Sequence, residues 1–279
     1  MPRPMRRALL LSDGLANVGI TDAGEIATHA AELSKRGITT STFGVGDHYD
    51  EDLLAGMADS GGGHFHHIAD ATAIPRVFAG ELGEMLAVAM RSTTLTLRIP
   101  ETWTARLVND LPFDRSGDRV TVTLGELASG ESRRLLWELS LPISTPGDHE
   151  TIDIRLSWMD AEGVRASEVP LSHTIEPHTD RGAPDERVQN ELARLYGARA
   201  RAEAIRYNKA GDFASARQSV LHYQGAMPAT AVGVAEAQEL AHDADMLSAP
   251  ADPALLKRRF ADSRGTQRGR RDYSQEPPR

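Results

Sequence analysis

The run Ala8-Leu9-Leu10-Leu11-Ser12-Asp13-Gly14 is an aliphatic stretch that stops abruptly on a carboxylate and a glycine. A strand buried on both faces of a parallel sheet reads as continuously aliphatic, and in open α/β sheets ligands collect just beyond the carboxyl ends of such strands. Asp13 is thereby placed at a ligand-facing strand end. The next segment has the marks of a crossover helix: Thr21 as a candidate N-cap, Ile26, Ala30 and Leu33 at helical spacing, and Gly37 as the stop. Ile38 to Val45 then reads as a second strand that closes on Gly44-Val45-Gly46.

The order continues with an Asp50-capped helix carrying Leu53, Leu54 and Met57, then three glycines at 61 to 63. A short strand around Phe65 to Ile68 and an apolar-striped helix from about Ile74 to Met90 complete the series. Strands alternating with helices in this way indicate βα units of a doubly wound parallel sheet.

Three stretches make a family resemblance specific. They are Leu-Leu-Leu-Ser-Asp-Gly-Leu-Ala-Asn-Val-Gly, Gly-Ile-Thr-Thr-Ser-Thr-Phe-Gly-Val-Gly, and Asp-Glu-Asp-Leu-Leu-Ala-Gly-Met-Ala-Asp-Ser-Gly-Gly-Gly. Together they resemble the C-terminal half of a bacterial von Willebrand factor type A (VWA) domain. The resemblance implies a protein-interaction role and a divalent cation held by three separated pieces: an Asp-x-Ser-x-Ser run, a threonine in a middle loop, and an aspartate after the fourth strand. Asp13 matches the last piece, whereas no Asp-x-Ser-x-Ser run occurs anywhere in the chain. Mg²⁺ demands a near-octahedral set of oxygens, so the metal-ion-dependent adhesion site is expected to be incomplete, with Asp13 binding Mg²⁺ or Mn²⁺ only weakly in this chain alone. The residues before Ala8 are too few to hold the missing strands, which are expected upstream of Met1 or on a second polypeptide. The strand at residues 8–12 is then expected to have an open hydrophobic edge prone to self-association, with the side chain of Leu10 buried.

Composition sets the remaining bounds. With 279 residues, 40% hydrophobic and 25% charged, the chain is ordinary globular material large enough for two or three domains. It has no cysteine, which excludes disulfides and thiolate chemistry and fits a reducing compartment. The basic N-terminus precedes an apolar stretch, Ala8 to Leu11, too short for a signal-peptide core or a membrane span, so a cytoplasmic location and no membrane partner are expected.

From Arg91 to about His178 the period of the apolar positions falls to two, in the runs Leu95-Leu97-Ile99, Val120-Val122-Leu124, Leu135-Trp137-Leu139-Leu141 and Ile152-Ile154-Leu156-Trp158. Turn signals separate them at Ser116-Gly117-Asp118, Ser129-Gly130, Pro146-Gly147-Asp148 and Glu162-Gly163. The pattern predicts an antiparallel β-sandwich over 91–178 with Trp137 and Trp158 in its core. A linker at 179–184 leads to helical stripes over 185–248, broken at Gly211-Asp212. That break resembles the helix-turn-helix junction of a tetratricopeptide-type repeat, and a helical hairpin or small bundle is expected. Residues 249–279 carry eight basic and four acidic groups and few apolar ones, and read as a disordered basic tail. The other 248 residues then carry −13 of the total −9, a balance that disfavours nucleic acid as a partner.

The expected domains are thus 1–90 (partial VWA-like α/β), 91–178 (β-sandwich), 185–248 (helical) and 249–279 (tail). His64 and His66 share a strand face while His67 points away, and without a third ligand nearby in sequence they read as a polar face rather than a metal site. Ser12 lacks a Gly-x-Ser-x-Gly elbow, and Gly44-Val45-Gly46 lacks the third glycine of a dinucleotide fingerprint, Tyr49 standing in its place. The expectation is a non-enzymatic interaction or scaffold protein with an unknown protein partner. The alternative is an accessory subunit of a metal-chelatase-like or other nucleotide-driven complex.

Overall fold

A computed structural model describes residues 6–140, 142, 150–160, 165–175 and 183–269. In chain order the elements are β1 (Arg6–Ser12), α1 (Ala23–Lys35), β2 (Ile38–Val45), α2 (Glu51–Ser60), β3 (Gly62–Ile68), α3 (Ile74–Leu86) and β4 (Val88–Arg98). Next come β5 (Thr104–Leu107), β6 (Phe113–Ser116), β7 (Arg119–Ala128), β8 (Trp137–Ser140), β9 (Glu150–Met159) and β10 (Arg165–Ile175). The helices α4 (Glu186–Lys209), α5 (Phe213–Gly225), α6 (Ala231–Met246) and α7 (Pro253–Gln267) complete the chain. Among the described residues no helix is long and apolar enough to cross a membrane.

Compactness divides the chain into two units, one of Met1–Leu95, Thr123–Gly130 and Leu156–Val169, the other of Thr96–Val122, Glu131–Arg155 and Pro170–Arg279. This differs from four consecutive segments. Part of β7 joins the first unit because Glu126 reaches Arg7 and Thr39, and because Gly125 packs on the backbone of Gly62.

The first unit holds a parallel sheet ordered β1-β2-β3, with Leu10 opposite Thr42 and Phe43 opposite His66. Successive residues of a strand point to opposite faces. On β2, Thr42 Oγ1 donates to the Leu54 carbonyl of α2, while its neighbour Ser41 Oγ donates to Glu81 of α3. The helices α2 and α3 therefore cover opposite faces, and α1 lies with α2, which it contacts. Helix ends follow side-chain chemistry: Asp22, not Thr21, caps α1 by accepting from the Glu25 amide, and Asp50 caps α2 by accepting from Leu53. Gly37, at φ +75°, turns the chain from α1 into β2. At Gly63 a side chain is excluded because a Cβ would stand 2.2 Å from the Thr40 carbonyl oxygen, so β3 approaches β2 closely where the register shifts. The third helix ends at Leu86 rather than running to Met90, and β4 begins at Val88.

The remaining strands form a five-stranded sheet, β10-β9-β4-β7-β6, and a two-stranded sheet, β5-β8. Pairing is antiparallel in β6–β7 and β5–β8, with Gly117 at φ +59° in the tight turn between β6 and β7. Leu97, Ile99, Val120, Val122, Leu124 and Ile152 are buried, in keeping with the alternation. The tryptophans are not where that alternation puts them. Trp137 and Trp158 are only half-buried, the former set edge-on to the exposed ring of Phe113, whereas the buried indole is Trp103, in the turn after β4. The expected turns at 146–148 and 162–163 lie outside the described residues.

In the second unit α4 is contacted by α5, α6 and α7. The break at Gly211-Asp212 is a true junction, with Gly211 at φ +77° and Asp212 capping α5 through the Ser215 amide. The expected disorder from residue 249 fails over Pro253–Gln267, which form α7. Its apolar stripe is short, but Leu256 and Phe260 are buried, Lys209 and Arg264 lie over the Phe260 ring, and Gln267 Nε2 donates to the Ala198 carbonyl of α4. Residues 270–279 lie outside the described residues.

Candidate functional site

Two places in the first unit combine unusual chemistry with defined geometry. The first is the free side of β1. This strand pairs with β2 and is the outermost strand of its sheet, so among the described residues one row of its backbone groups has no strand beside it. Leu9, Leu10 and Leu11 are 36%, 37% and 45% exposed, far more than a central parallel strand would allow. The burial expected for Leu10 is thus not realised, because no further strand or helix covers it among the described residues. The loop after β1 adds Leu15, Val18 and Ile20, all exposed.

A groove of about 240 Å³ runs beside this edge, lined by Leu10, Leu11, Leu15, Ile26, Leu53 and Met57 among others. Its floor comes from Ile26 of α1 and Leu53, Leu54 and Met57 of α2. Ser12 and Gly14 also line it, the Ser12 hydroxyl donating to the Gly14 carbonyl, and Asp13 between them in the chain is exposed. The residues present do not build the adhesion-type site that the resemblance implies. Asp13 contributes one carboxylate, the Ser12 hydroxyl is bonded to the main chain, and the Asp-x-Ser-x-Ser run is missing from the sequence.

The second place is the opposite face, where β3 meets α3. Glu81 is wholly buried on α3 and its carboxylate gathers four donors. Arg7 Nη1 and Ser41 Oγ donate to Oε1, while His64 Nδ1 at 3.1 Å and His66 Nε2 at 2.8 Å reach Oε2. The other arm of Arg7 bonds Glu126, which also accepts from Thr39 Oγ1 at 3.0 Å. Glu84, one turn along α3, brings its Oε2 to 3.0 Å from His64 Nδ1. Each imidazole is fixed by its surroundings: His66 stacks at 4.9 Å on Phe43, which stacks on Phe78, and the His64 amide donates to Ser41 Oγ. Burial would raise the Glu81 carboxyl, but hydrogen bonds from His64 and His66, the charge at His64 and the Ser41 hydroxyl outweigh it and hold the group well below the usual carboxylate range. His67 points to the other face, where its Nδ1 lies 2.7 Å from the Tyr49 hydroxyl.

The same-face placement of His64 and His66 is a consequence of strand period alone. What sequence reasoning missed is the third group. Glu81 lies 15 residues beyond His66 on a helix, and its pairing with the strand was visible only as an acidic residue interrupting the apolar stripe of residues 74–86. Arg7 read as part of a basic N-terminus, though its side chain is 3% exposed.

No family model matches the chain. It is 28% identical over 144 residues to the uncharacterized protein YfbK of Escherichia coli (strain K12), covering 49% of this chain and 25% of that protein. It is 26% identical over 217 residues to the uncharacterized protein sll0103 of Synechocystis sp. (strain ATCC 27184 / PCC 6803 / Kazusa), covering 73% of this chain and 51% of that one. The matches thus span about half the length of these curated relatives, or less. Among solved structures, von Willebrand factor type A from Catenulispora acidiphila superposes with a TM-score of 0.66 at 18% identity, over 94% of this chain and 66% of that one. At that identity the likeness establishes the fold, which is VWA-like.

Proposed function

We propose that this chain is a non-enzymatic interaction module of VWA type, corresponding to the carboxyl-terminal half of such a domain followed by a β-sandwich and a helical segment. Its partner is an extended, aliphatic polypeptide segment that adds a strand alongside β1. The observation that carries this reading is the continuous apolar exposure of Leu9, Leu10 and Leu11 on an edge strand, extended by Leu15, Val18 and Ile20. Main-chain pairing supplies affinity in strand addition, and pockets for alternate side chains supply specificity. The groove lined by Leu53 and Met57 is such a pocket. A contiguous exposed apolar surface of this kind marks an interaction site on a soluble protein.

The test is the association state of the chain. In static light scattering the apparent mass should rise with concentration, and the double variant Leu10→Lys/Leu11→Lys should stay monomeric with an unchanged far-UV circular dichroism spectrum. A wild-type chain that is monodisperse and monomeric throughout the micromolar range, unfolding in one cooperative step, would overturn the proposal.

A further inference from the structure

The cluster at β3 and α3 has no part in strand addition at β1, yet its geometry is specific. His64 Nδ1, His66 Nε2 and a Glu81 carboxylate oxygen all lie within 4.8 Å of one another, and Glu84 Oε2 lies 3.0 Å from His64 Nδ1. We propose that these four side chains hold one zinc ion that ties β3 to α3, with His64, His66 and Glu81 as the core ligands and Glu84 closing the set.

Three observations support the assignment. The first is spacing. Zinc bonds imidazole nitrogen and carboxylate oxygen at about 2.0–2.2 Å, so neighbouring ligand atoms of a tetrahedral ion stand roughly 3.3 Å apart. The contacts His66–Glu81, His64–Glu81 and His64–Glu84 are 2.8, 3.1 and 3.0 Å, and the three core ligand atoms all lie within 4.8 Å of one another, so small side-chain shifts bring them to this spacing. The second is charge. The buried ion pairs join Arg7 to Glu81 and Glu126, one positive group against two negative ones. One carboxylate charge in the interior is thus in excess of the guanidinium, and a cation held beside Glu81 would offset it.

The third observation is the supporting shell. Ligating carboxylates and histidines are normally held by outer hydrogen bonds that fix their direction. Arg7 and Ser41 take up Glu81 Oε1 and leave Oε2 turned to the histidines, while the Phe43 ring fixes the plane of His66. Access is available as well: the Glu84 side chain is 52% exposed and that of His66 25%, so the ion has a path from solvent. The donor set distinguishes among metals. Two imidazole nitrogens favour zinc and its later transition-metal neighbours over Mg²⁺ or Ca²⁺, which prefer oxygen.

The experiment uses the full chain, stripped with a chelator and dialysed. Titration with ZnCl₂ followed by calorimetry should show one site per chain of micromolar or better affinity, and MgCl₂ should show none there. Co²⁺ in place of zinc should give the visible absorption of a four-coordinate nitrogen and oxygen site. His66→Ala should abolish the site. Because that change also removes a stacked ring, Glu84→Gln on the exposed side provides a second readout and should weaken zinc about tenfold while leaving the circular dichroism spectrum unchanged. The proposal falls if the stripped chain takes up no zinc at micromolar concentration. It also falls if zinc binds equally well to folded His66→Ala and Glu84→Gln, since the ion would then sit on others of the ten histidines.

Discussion

The two faces of the β1-β2-β3 sheet are built from the same three strands, yet they solve opposite problems. On the α1 and α2 side the covering side chains are mostly apolar, and at the outer edge they run out, leaving Leu10 partly in water beside an open groove. On the α3 side the strands present Arg7, Ser41, His64 and His66, and one carboxylate satisfies all four. An apolar face tolerates an unfilled boundary, because each uncovered leucine merely forfeits its own burial. An ionic face does not, because removing any partner leaves a buried charge exposed to low dielectric. The polar face should therefore be the brittle one, and the apolar face the adaptable one that can meet a partner.

The largest expected effect breaks the ionic face. Arg7→Met strips Glu81 and Glu126 of their shared guanidinium and should cost about 3–5 kcal/mol, read as a shift of the midpoint in urea denaturation. A loss below about 1 kcal/mol would mean that the histidines and Ser41 suffice for Glu81, and the contrast between the faces would collapse.

A second comparison lies within the apolar face. Leu54, 3% exposed beneath the sheet, and Leu10, at its edge, lose the same atoms on truncation. Leu54→Ala should cost about 2–5 kcal/mol through the cavity it leaves, and Leu10→Ala about 1 kcal/mol or less. Equal costs would show that the β1 edge is covered in solution, by a second copy or by another segment, and would locate the partner. The smallest effect concerns Asp13. With one carboxylate to offer, it should bind Mg²⁺ or Mn²⁺ no better than millimolar, and Asp13→Ala should leave the unfolding midpoint within about 0.5 kcal/mol of wild type. Micromolar Mg²⁺ affinity lost in that variant would reverse the ranking of the two places as metal sites.

Much of the first unit can be read directly from the chain. The run Ala8–Leu11, the stripe Ile26-Ala30-Leu33 and the capping Asp50 each map onto an element that forms, because local period and end chemistry act over a few residues. The cluster could only be half read. Strand period puts His64 and His66 together, but the contacts of Glu81 with Arg7, 74 residues away, and of Arg7 with Glu126, 119 residues away, depend on tertiary packing that no local pattern encodes. The same holds for α7. Its two buried apolar residues are too few to raise a helical signal, and of the basic side chains that suggest a solvated tail Lys257 is instead buried and Arg264 lies over the Phe260 ring. Trp103 was hidden for the converse reason, since it stands in a turn outside any alternating run.

Ser41 has a consequence for how the strands find their alignment. Its hydroxyl accepts from the His64 amide and donates to Glu81, so one atom ties the pairing of β2 with β3 to the buried carboxylate. A slip of β3 by one residue would present Phe65 and His67 to α3 and turn both histidine donors away, leaving Glu81 in the interior with half its partners gone. The two glycines that open this strand, Gly62 and Gly63, give it little side-chain bulk with which to resist sliding at its start. The cluster thus favours one register of β3 over its neighbours, because a shifted pairing leaves a buried charge under-satisfied.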